Sequence, residues 1–205
     1  MADEFENAPW FRFNGYQSGH WREESARWIR EVPPSVEWER TPHFPHVNLE
    51  FCCEAHEDFI NHCPFDAADV TRAAWLSVLA SPPAGLTYGA HGIWSWESEP
   101  AHHMNHPNAG LAPTWTDASN LSGSTCMKHL EGILQRIPWW RLIPWPRMGT
   151  TARTDAGDIA LVYLIDGVPL RIDGMGAQYF DPATGQRRLT GPATACFRSP
   201  GTNND

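Results

Sequence analysis

Glu50 is the residue of this sequence that is best placed to do chemistry. It ends the short apolar run HVNLE at residues 46–50, which is typical of a strand buried on both faces, and a polar segment follows. In β/α enzymes, catalytic groups project from the C-terminal ends of strands. A carboxylate there can act as a nucleophile or as a general acid or base. A salt bridge at a strand end is the alternative interpretation.

Polar and aromatic side chains also stand at the ends of two further predicted strands. Gln17 and His20 follow the alternating segment WFRFNGYQ, and the segment AGLTYGAHGIW carries Tyr88, His91 and Trp94. Amide and imidazole groups bond hydroxyls, and aromatic faces stack against sugar rings. The alternative for each residue is a satisfied histidine or a packed aromatic ring.

Three strand–helix units must position these residues. Ser18 is predicted to cap a helix that runs to Arg30, and Asp66 is predicted to cap a helix over Ala67–Ala80. A third helix, ending near Ile137, follows the segment AGLTYGAHGIW and a long loop rich in His, Asn and Pro. This order predicts an α/β architecture with parallel strands.

The pattern changes near residue 150. The segments GDIALVYLI, VPLRI and AQYF are short predicted strands separated by Asp- and Gly-containing turns, which is typical of an antiparallel β-meander. The segment PWWRLIPWP precedes them and is the predicted linker. We therefore predict two units, at residues 1–148 and 149–205.

Composition excludes several classes of partner. The chain has 205 residues, a net charge of −9 and no run of Lys or Arg, so nucleic acid is a poor candidate. No stretch approaches the roughly 20 apolar residues of a membrane span. The N-terminal segment MADEFENAPW is acidic and lacks the apolar part of a signal peptide, so the chain as given is expected to be cytoplasmic.

We expect neither a metal site nor a cofactor. The loop histidines His102, His103 and His106 lack an HExxH pattern or paired acids, and a metal hydrolase using them is a minor alternative. The cysteines match no zinc pattern, and no phosphate-binding glycine loop occurs. Buried free thiols are expected, with a Cys53–Cys63 disulfide as the alternative.

The sequence resembles the apiosidase-like glycoside hydrolases. The collinear matching segments are GYQSGH (15–20), VNLEFCCE (47–54), VTRAAWLSVLASPPAGLTYGAHGIWSW (70–96), WTDA (115–118), RIPWWRLIP (136–144) and YFDPATG (179–185). The part GLTYGAHGIW is the most specific, because strand formation does not require its order of Tyr, Gly, His and Trp. The resemblance implies the C-terminal part of a (β/α)8 barrel, followed by part of a β-domain. Relatives carry a collagen-binding designation for that domain, but we expect a packing role for it here.

The resemblance also implies an activity and a site. It implies retaining hydrolysis of O-glycosidic bonds in polysaccharide side chains, which uses two carboxyl groups about 5–5.5 Å apart. By similarity, Glu50 lies on the strand that carries the nucleophile, and Glu54 is expected to orient its neighbours at the position of a second acid. The implied substrate-binding residues are Gln17, His20, Glu54, Tyr88, His91 and Trp94.

Only barrel strands six to eight are matched, and this limits what is expected of the chain. The acid/base should come from an earlier strand, and Glu97 and Glu99 are the substitutes that this sequence offers. Three of eight strands leave open edges, so a partner covering the barrel edge is expected. A truncated, inactive hydrolase is therefore included in the hypothesis, and a non-catalytic carbohydrate-binding or interaction protein is the alternative. Complete relatives could be secreted, so the compartment stays open.

Overall fold

The computed structural model describes residues 2–5, 7–39, 44–82, 85–145, 150–164 and 177–190. Its α-helices are Ala2–Phe5 (α1), Arg22–Glu31 (α2), Pro33–Trp38 (α3), Ala67–Ala80 (α4), Trp115–Ala118 (α5) and Gly123–Leu134 (α6). Its strands are Asn14–Gln17 (β1), His46–Glu50 (β2), Gly85–Leu86 (β3), Ala101–His102 (β4), Leu111–Ala112 (β5), Leu142–Pro144 (β6), Thr150–Thr154 (β7), Ala160–Tyr163 (β8), Ala177–Phe180 (β9) and Arg187–Thr190 (β10). None of the described helices is long and apolar enough to cross a membrane.

A three-stranded parallel sheet in the order β1-β2-β3 carries the site. The helices α2 and α3 connect the first two strands and α4 connects the second to the third, which confirms the predicted mixed α/β alternation. Strand β3 is shorter than predicted. Beyond the end of β3, Ala90 forms an isolated parallel β-bridge with Glu54, which follows β2. Tyr88 and His91 therefore lie in the loop that follows β3.

Helix α4 begins and ends where its sequence signals predict. The Asp66 carboxylate accepts the N–H groups of Ala68 and Asp69, and the Asp69 carboxylate accepts the N–H of Asp66, which forms a complete capping box. The helix buries Val70 and Leu79 completely. Its small residues allow close packing against α2, α6 and the antiparallel strand β7.

The prediction that Ser18 caps α2 is wrong. The helix begins at Arg22, and the N–H of Trp21 donates to Ser25 Oγ at 3.1 Å. Ser18 is bonded instead to the neighbouring strand, because its N–H donates to the carbonyl of Glu50 at 2.8 Å. A long-range backbone bond thus replaces the local cap.

The C-terminal part is antiparallel, as predicted. Strands β6, β7 and β8 form one sheet and β9 and β10 form a hairpin, whereas the predicted strand VPLRI lies outside the described residues. Strand β6 lies within the predicted linker and pairs with β7. The division into units at residue 148 stays a prediction.

Helix α4 also packs against the antiparallel strands. Trp75 stacks on Tyr163 of β8 with ring centroids 6.0 Å apart and an interplanar angle of 9°, and it contacts Phe180 of β9 at 6.3 Å. Leu142 of β6 and Ala152 of β7 are buried in the same hydrophobic core. The parallel and antiparallel parts therefore share one apolar core.

Candidate functional site

Glu50 and Gln17 face each other because the pairing of β1 and β2 is irregular. Tyr16 pairs with Asn48 and Gln17 pairs with Glu50, so Leu49 has no partner in this register. Such bulges redirect side chains and are common beside active sites. Here the bulge places the Gln17 amide opposite the carboxylate, and Gln17 Nε2 donates to Glu50 Oε2 at 2.8 Å.

The other carboxylate oxygen of Glu50 faces His20. His20 Nδ1 lies 3.9 Å from Glu50 Oε1, which is too long for a hydrogen bond. Burial, and then the neighbouring His56, His106 and His91, lowers the pKa of His20 to about 3, so its imidazole is neutral at pH 7. The Glu50 side chain is 42% exposed, whereas that of His20 is 9% exposed. The carboxylate is thus oriented on one side and accessible from solvent.

Asn48 holds the backbone of Glu50 in place. The sequence analysis did not identify Asn48 as a site residue. Its buried amide donates to Ser77 Oγ at 2.8 Å and to Ser18 Oγ at 3.3 Å, and its Oδ1 accepts the N–H of Glu50 at 3.2 Å. A buried amide with all these partners fixes the backbone at the strand end. A polar residue inside the apolar run HVNLE was the available signal.

Glu54 lies in a different environment. Its side chain is buried, and Oε2 accepts the Tyr88 hydroxyl at 2.5 Å and the N–H of Gly123 at 2.9 Å. Gly123 is the first residue of α6, so the carboxylate also meets the positive end of that helix dipole. Burial, and then the bond to Glu54, raises the pKa of Tyr88. Glu54 thereby joins the loop after β3 to α6, and its contact with a substrate stays a prediction.

A row of rings in contact begins beside Glu50 and ends at the surface. The ring centroids of His20 and His56 are 4.0 Å apart, and those of His56 and His91 are 5.4 Å apart. His91 stacks on Trp94 at 5.4 Å with an interplanar angle of 6°. His91 is buried and Trp94 is exposed. The structure therefore brings five of the seven predicted site residues into one connected group, while Glu54 and Tyr88 form a separate pair.

His56 is the second residue that the sequence analysis missed. Its Nδ1 lies 2.6 Å from the carbonyl oxygen of Glu57, and burial lowers its pKa to about 4. Burial also lowers the pKa of His91. The central rings of the row are consequently neutral near pH 7. His56 occupies a polar loop without a recognisable motif, so no local signal identified it.

The loop histidines contribute rings to this group. His103 and His106 contact the Trp94 ring, with centroids 4.9 and 5.6 Å away. Among the described residues, no group of three or more His, Cys, Asp or Glu side chains could hold a metal ion. The three-dimensional arrangement gives these histidines a packing role around Trp94.

The thiols beside the site are free. Cys53 is buried and Cys63 is exposed, and neither is in a disulfide, so the alternative of a bridge between them is wrong. Burial, and then the charge of Glu50, raises the pKa of Cys53 to about 12. Cys53 therefore presents a neutral, apolar surface next to the carboxylate.

Comparisons with known proteins identify relatives of this fold. The model of the apiosidase-like catalytic domain matches residues 1–141. A solved glycoside hydrolase superposes with a TM-score of 0.81 and 23% identity, over 98% of this chain and 52% of that one. A glycoside hydrolase family 5 protein from Bacteroides vulgatus ATCC 8482 superposes with a TM-score of 0.79 and 23% identity, over 98% and 49%.

The matches differ in how much of each protein they cover. No curated protein matches the sequence significantly. The chain spans about half the length of the two solved structures, and at this identity the likeness concerns the fold. The family match covers well over half of the sequence and includes the strand that carries Glu50. The chain therefore belongs to the apiosidase-like family of glycoside hydrolase domains.

Proposed function

We propose that this chain is a glycoside hydrolase-like protein that cleaves O-glycosidic bonds in polysaccharide side chains with retention of configuration. The observation that carries the proposal is the accessible Glu50 carboxylate at the end of β2, oriented by Gln17 and faced by His20. Family membership supports it. The three parallel strands then correspond to the C-terminal part of a (β/α)8 barrel, in which catalytic groups stand at strand ends.

Glu50 is the proposed nucleophile. One carboxylate oxygen attacks the anomeric carbon while the bond to the leaving oxygen breaks and that oxygen takes a proton from an acid. Water then hydrolyses the covalent glycosyl-enzyme. The Gln17 amide holds Oε2, which leaves Oε1 on the less constrained side for the attack. We further propose that the exposed Trp94 ring contacts the sugar.

Glu97 is the proton donor that we propose for the pair. Both oxygens of Glu54 accept hydrogen bonds within the protein, from Tyr88 and Gly123. Burial lowers the pKa of His91, and the negative charge of the nearby Glu97 partly offsets this lowering. Glu97 is thus adjacent to the ring row.

Aryl glycosides test the nucleophile separately from the acid. A nitrophenolate leaving group needs little protonation, so its release depends mainly on the nucleophile. We expect the purified chain to hydrolyse at least one nitrophenyl glycoside and E50Q to fall to the background rate. E24Q changes an exposed carboxylate on α2 and serves as the matched control, with unchanged turnover. Proton NMR of the first-formed anomer should show retention, and equal turnover by E50Q and the unmodified chain would overturn the proposal.

A substitution of Glu97 tests the proposed acid. E97Q should slow hydrolysis of side-chain-rich pectin by about 10²–10⁴-fold and affect nitrophenyl glycosides much less, because only the sugar leaving group needs a proton. Equal losses on both substrates would assign Glu97 a structural role instead.

A non-catalytic carbohydrate-binding protein is the second candidate function. Two observations favour it: the Glu54 carboxylate is occupied by hydrogen bonds within the protein, and the Trp94 ring is exposed for stacking. Absence of turnover together with sugar binding by E50Q would select this function. In either case β1 and β3 are the edges of the described parallel sheet, and we propose that a partner covers them.

A further inference from the structure

Trp96 and Trp115 form an exposed pair of stacked indole rings. Their ring centroids are 5.1 Å apart and their planes differ by 3°. Trp96 is 68% exposed and Trp115 is 38% exposed, although tryptophan is usually among the well-buried residues. A stacked pair at the surface leaves outer indole faces, which are apolar and bordered by polar N–H edges, for a ligand.

The backbone holds Trp96 in an unfavourable conformation. Its φ is +54°, in the left-handed region that bulky residues seldom adopt. Hydrogen bonds fix the turn on both sides: the N–H of Trp96 donates to Ile93 at 3.1 Å and the N–H of Glu97 donates to Gly92 at 3.0 Å. Strain that the surrounding structure maintains is typical of ligand-binding positions.

Separate hydrogen bonds hold the backbone of Trp115. The N–H of Trp115 donates to the carbonyl of Glu97 at 2.8 Å, and Trp115 begins α5, whose cap is Thr114. Thr114 Oγ1 accepts the N–H of Asp117 at 3.1 Å. Both rings are therefore attached to fixed backbone, and the stacked pair is already formed before any ligand binds.

The charges around the pair select the class of ligand. The sequence from 91 to 118 contains Glu97, Glu99 and Asp117 but neither Lys nor Arg. Phosphates, nucleic acids and anionic membranes would be repelled, because they are recognised by clustered cations. A neutral saccharide fits, since its C–H face stacks on indole and its hydroxyls can donate to carboxylates.

The pair also follows closely on the outer end of the ring row in the sequence. Trp94, two residues before Trp96, is exposed and is stacked on His91 at the outer end of the ring row that starts beside Glu50. We propose that Trp96 and Trp115 form a distal subsite that binds a neutral sugar ring of a polysaccharide whose scissile bond lies at Glu50. The placement of the scissile bond rests on the proposed function, but binding at the pair does not require hydrolysis.

Affinity electrophoresis tests the subsite without catalysis. All variants carry E50Q, and native gels contain arabinan, galactan or xyloglucan, which are neutral polymers. We expect at least one polymer to retard E50Q. Adding W96A or W115A should weaken the apparent affinity about tenfold, because either change removes one ring of the stacked pair that presents the binding face. W96F should retain most of the retardation, since a phenyl ring keeps a flat face.

W140A is the matched control. Trp140 is 71% exposed and meets Trp139 edge-on at 81°, in the short 3-10 turn before β6, so its removal should leave retardation unchanged. Equal effects of W96A and W140A would overturn the subsite, and so would absence of retardation of E50Q by every polymer. Retardation that depends on Trp96 in a chain without glycosidase turnover would instead leave the subsite standing and reject only the hydrolytic function.

Discussion

Glu50 and Glu54 show how neighbours assign different roles to the same side chain. Glu50 is partly exposed and has one hydrogen-bond donor, Gln17, on its carboxylate. Glu54 is buried, and its carboxylate accepts bonds from Tyr88 and from the N-terminus of α6. An accessible carboxylate can meet a substrate, whereas one that is surrounded by donors holds the fold together. The environment thus distinguishes the proposed nucleophile, Glu50, from the supporting carboxylate, Glu54, as it does in other paired carboxylates.

At the residue scale, the strained turn at Trp96 leads to a stability prediction. W96G and W96A both remove the indole, but glycine adopts the positive φ freely while alanine does not, so W96G should be more stable by about 1 kcal/mol. Urea denaturation of the two variants measures the difference. At Trp94, which is not among the positive-φ residues, the order should reverse, with W94A more stable than W94G by about 0.5–1 kcal/mol. The same sign at both positions would contradict strain at Trp96.

At the element scale, the N-terminus of α6 depends on a residue far away in sequence. Ser122 precedes the helix but makes no side-chain cap bond. The Glu54 carboxylate accepts the N–H of Gly123 instead, from 69 positions away. A buried carboxylate at a helix N-terminus satisfies a free N–H group and complements the helix dipole. This contact couples α6 to the segment that follows β2.

Two glycines of α6 should respond in opposite directions to alanine. A Cβ at Gly123 would lie 2.3 Å from Glu54 Oε2 and 2.7 Å from Val70 Cγ2, so G123A should lower the free energy of unfolding by about 1–3 kcal/mol. A Cβ at Gly132 would meet nothing within 4 Å, so G132A should raise it by up to about 1 kcal/mol. Urea denaturation provides both values. A stable G123A would show that Glu54 does not pack against α6 in this way.

At the scale of the whole molecule, the row of buried histidines makes stability depend on pH. His20, His56 and His91 come from three loops and have pKa values lowered by burial, with about 3 for His20 and about 4 for His56. The unfolded chain binds protons on them near pH 6.5, while the folded chain does not. Folding stability is therefore complete above about pH 6.5 and decreases as the pH falls toward 4.

Urea denaturation between pH 7.5 and 4.5 checks this dependence. Each histidine of the row should contribute a slope of up to about 1.4 kcal/mol per pH unit below pH 6.5. H56Q should reduce the slope, because one group that stays neutral in the folded state is removed. H62Q changes an exposed histidine and should leave the slope as it is. A slope insensitive to H56Q would show that His56 is not buried in the neutral form.

Local signals in the sequence determined the fold class and the position of the main candidate. The cap at Asp66 predicted the start of α4, and the apolar run HVNLE predicted the strand that ends at Glu50. The collinear segments predicted the family, which the match over residues 1–141 confirms. These features depend on neighbours within about one helical turn or one strand, so a single sequence contains the information that they require.

Only the tertiary structure decided which side chains meet. The bulge that turns Gln17 toward Glu50 joins residues 33 positions apart, and the bond from Glu54 to Gly123 spans 69. Asn48 and His56 belong to the site through such contacts, which leave no periodic trace in the sequence. The sequence alone determined that Glu50 stands at a strand end. Its orientation, its neutral histidine neighbour and its separation from Glu54 follow from packing between distant segments, because packing sets burial and partners.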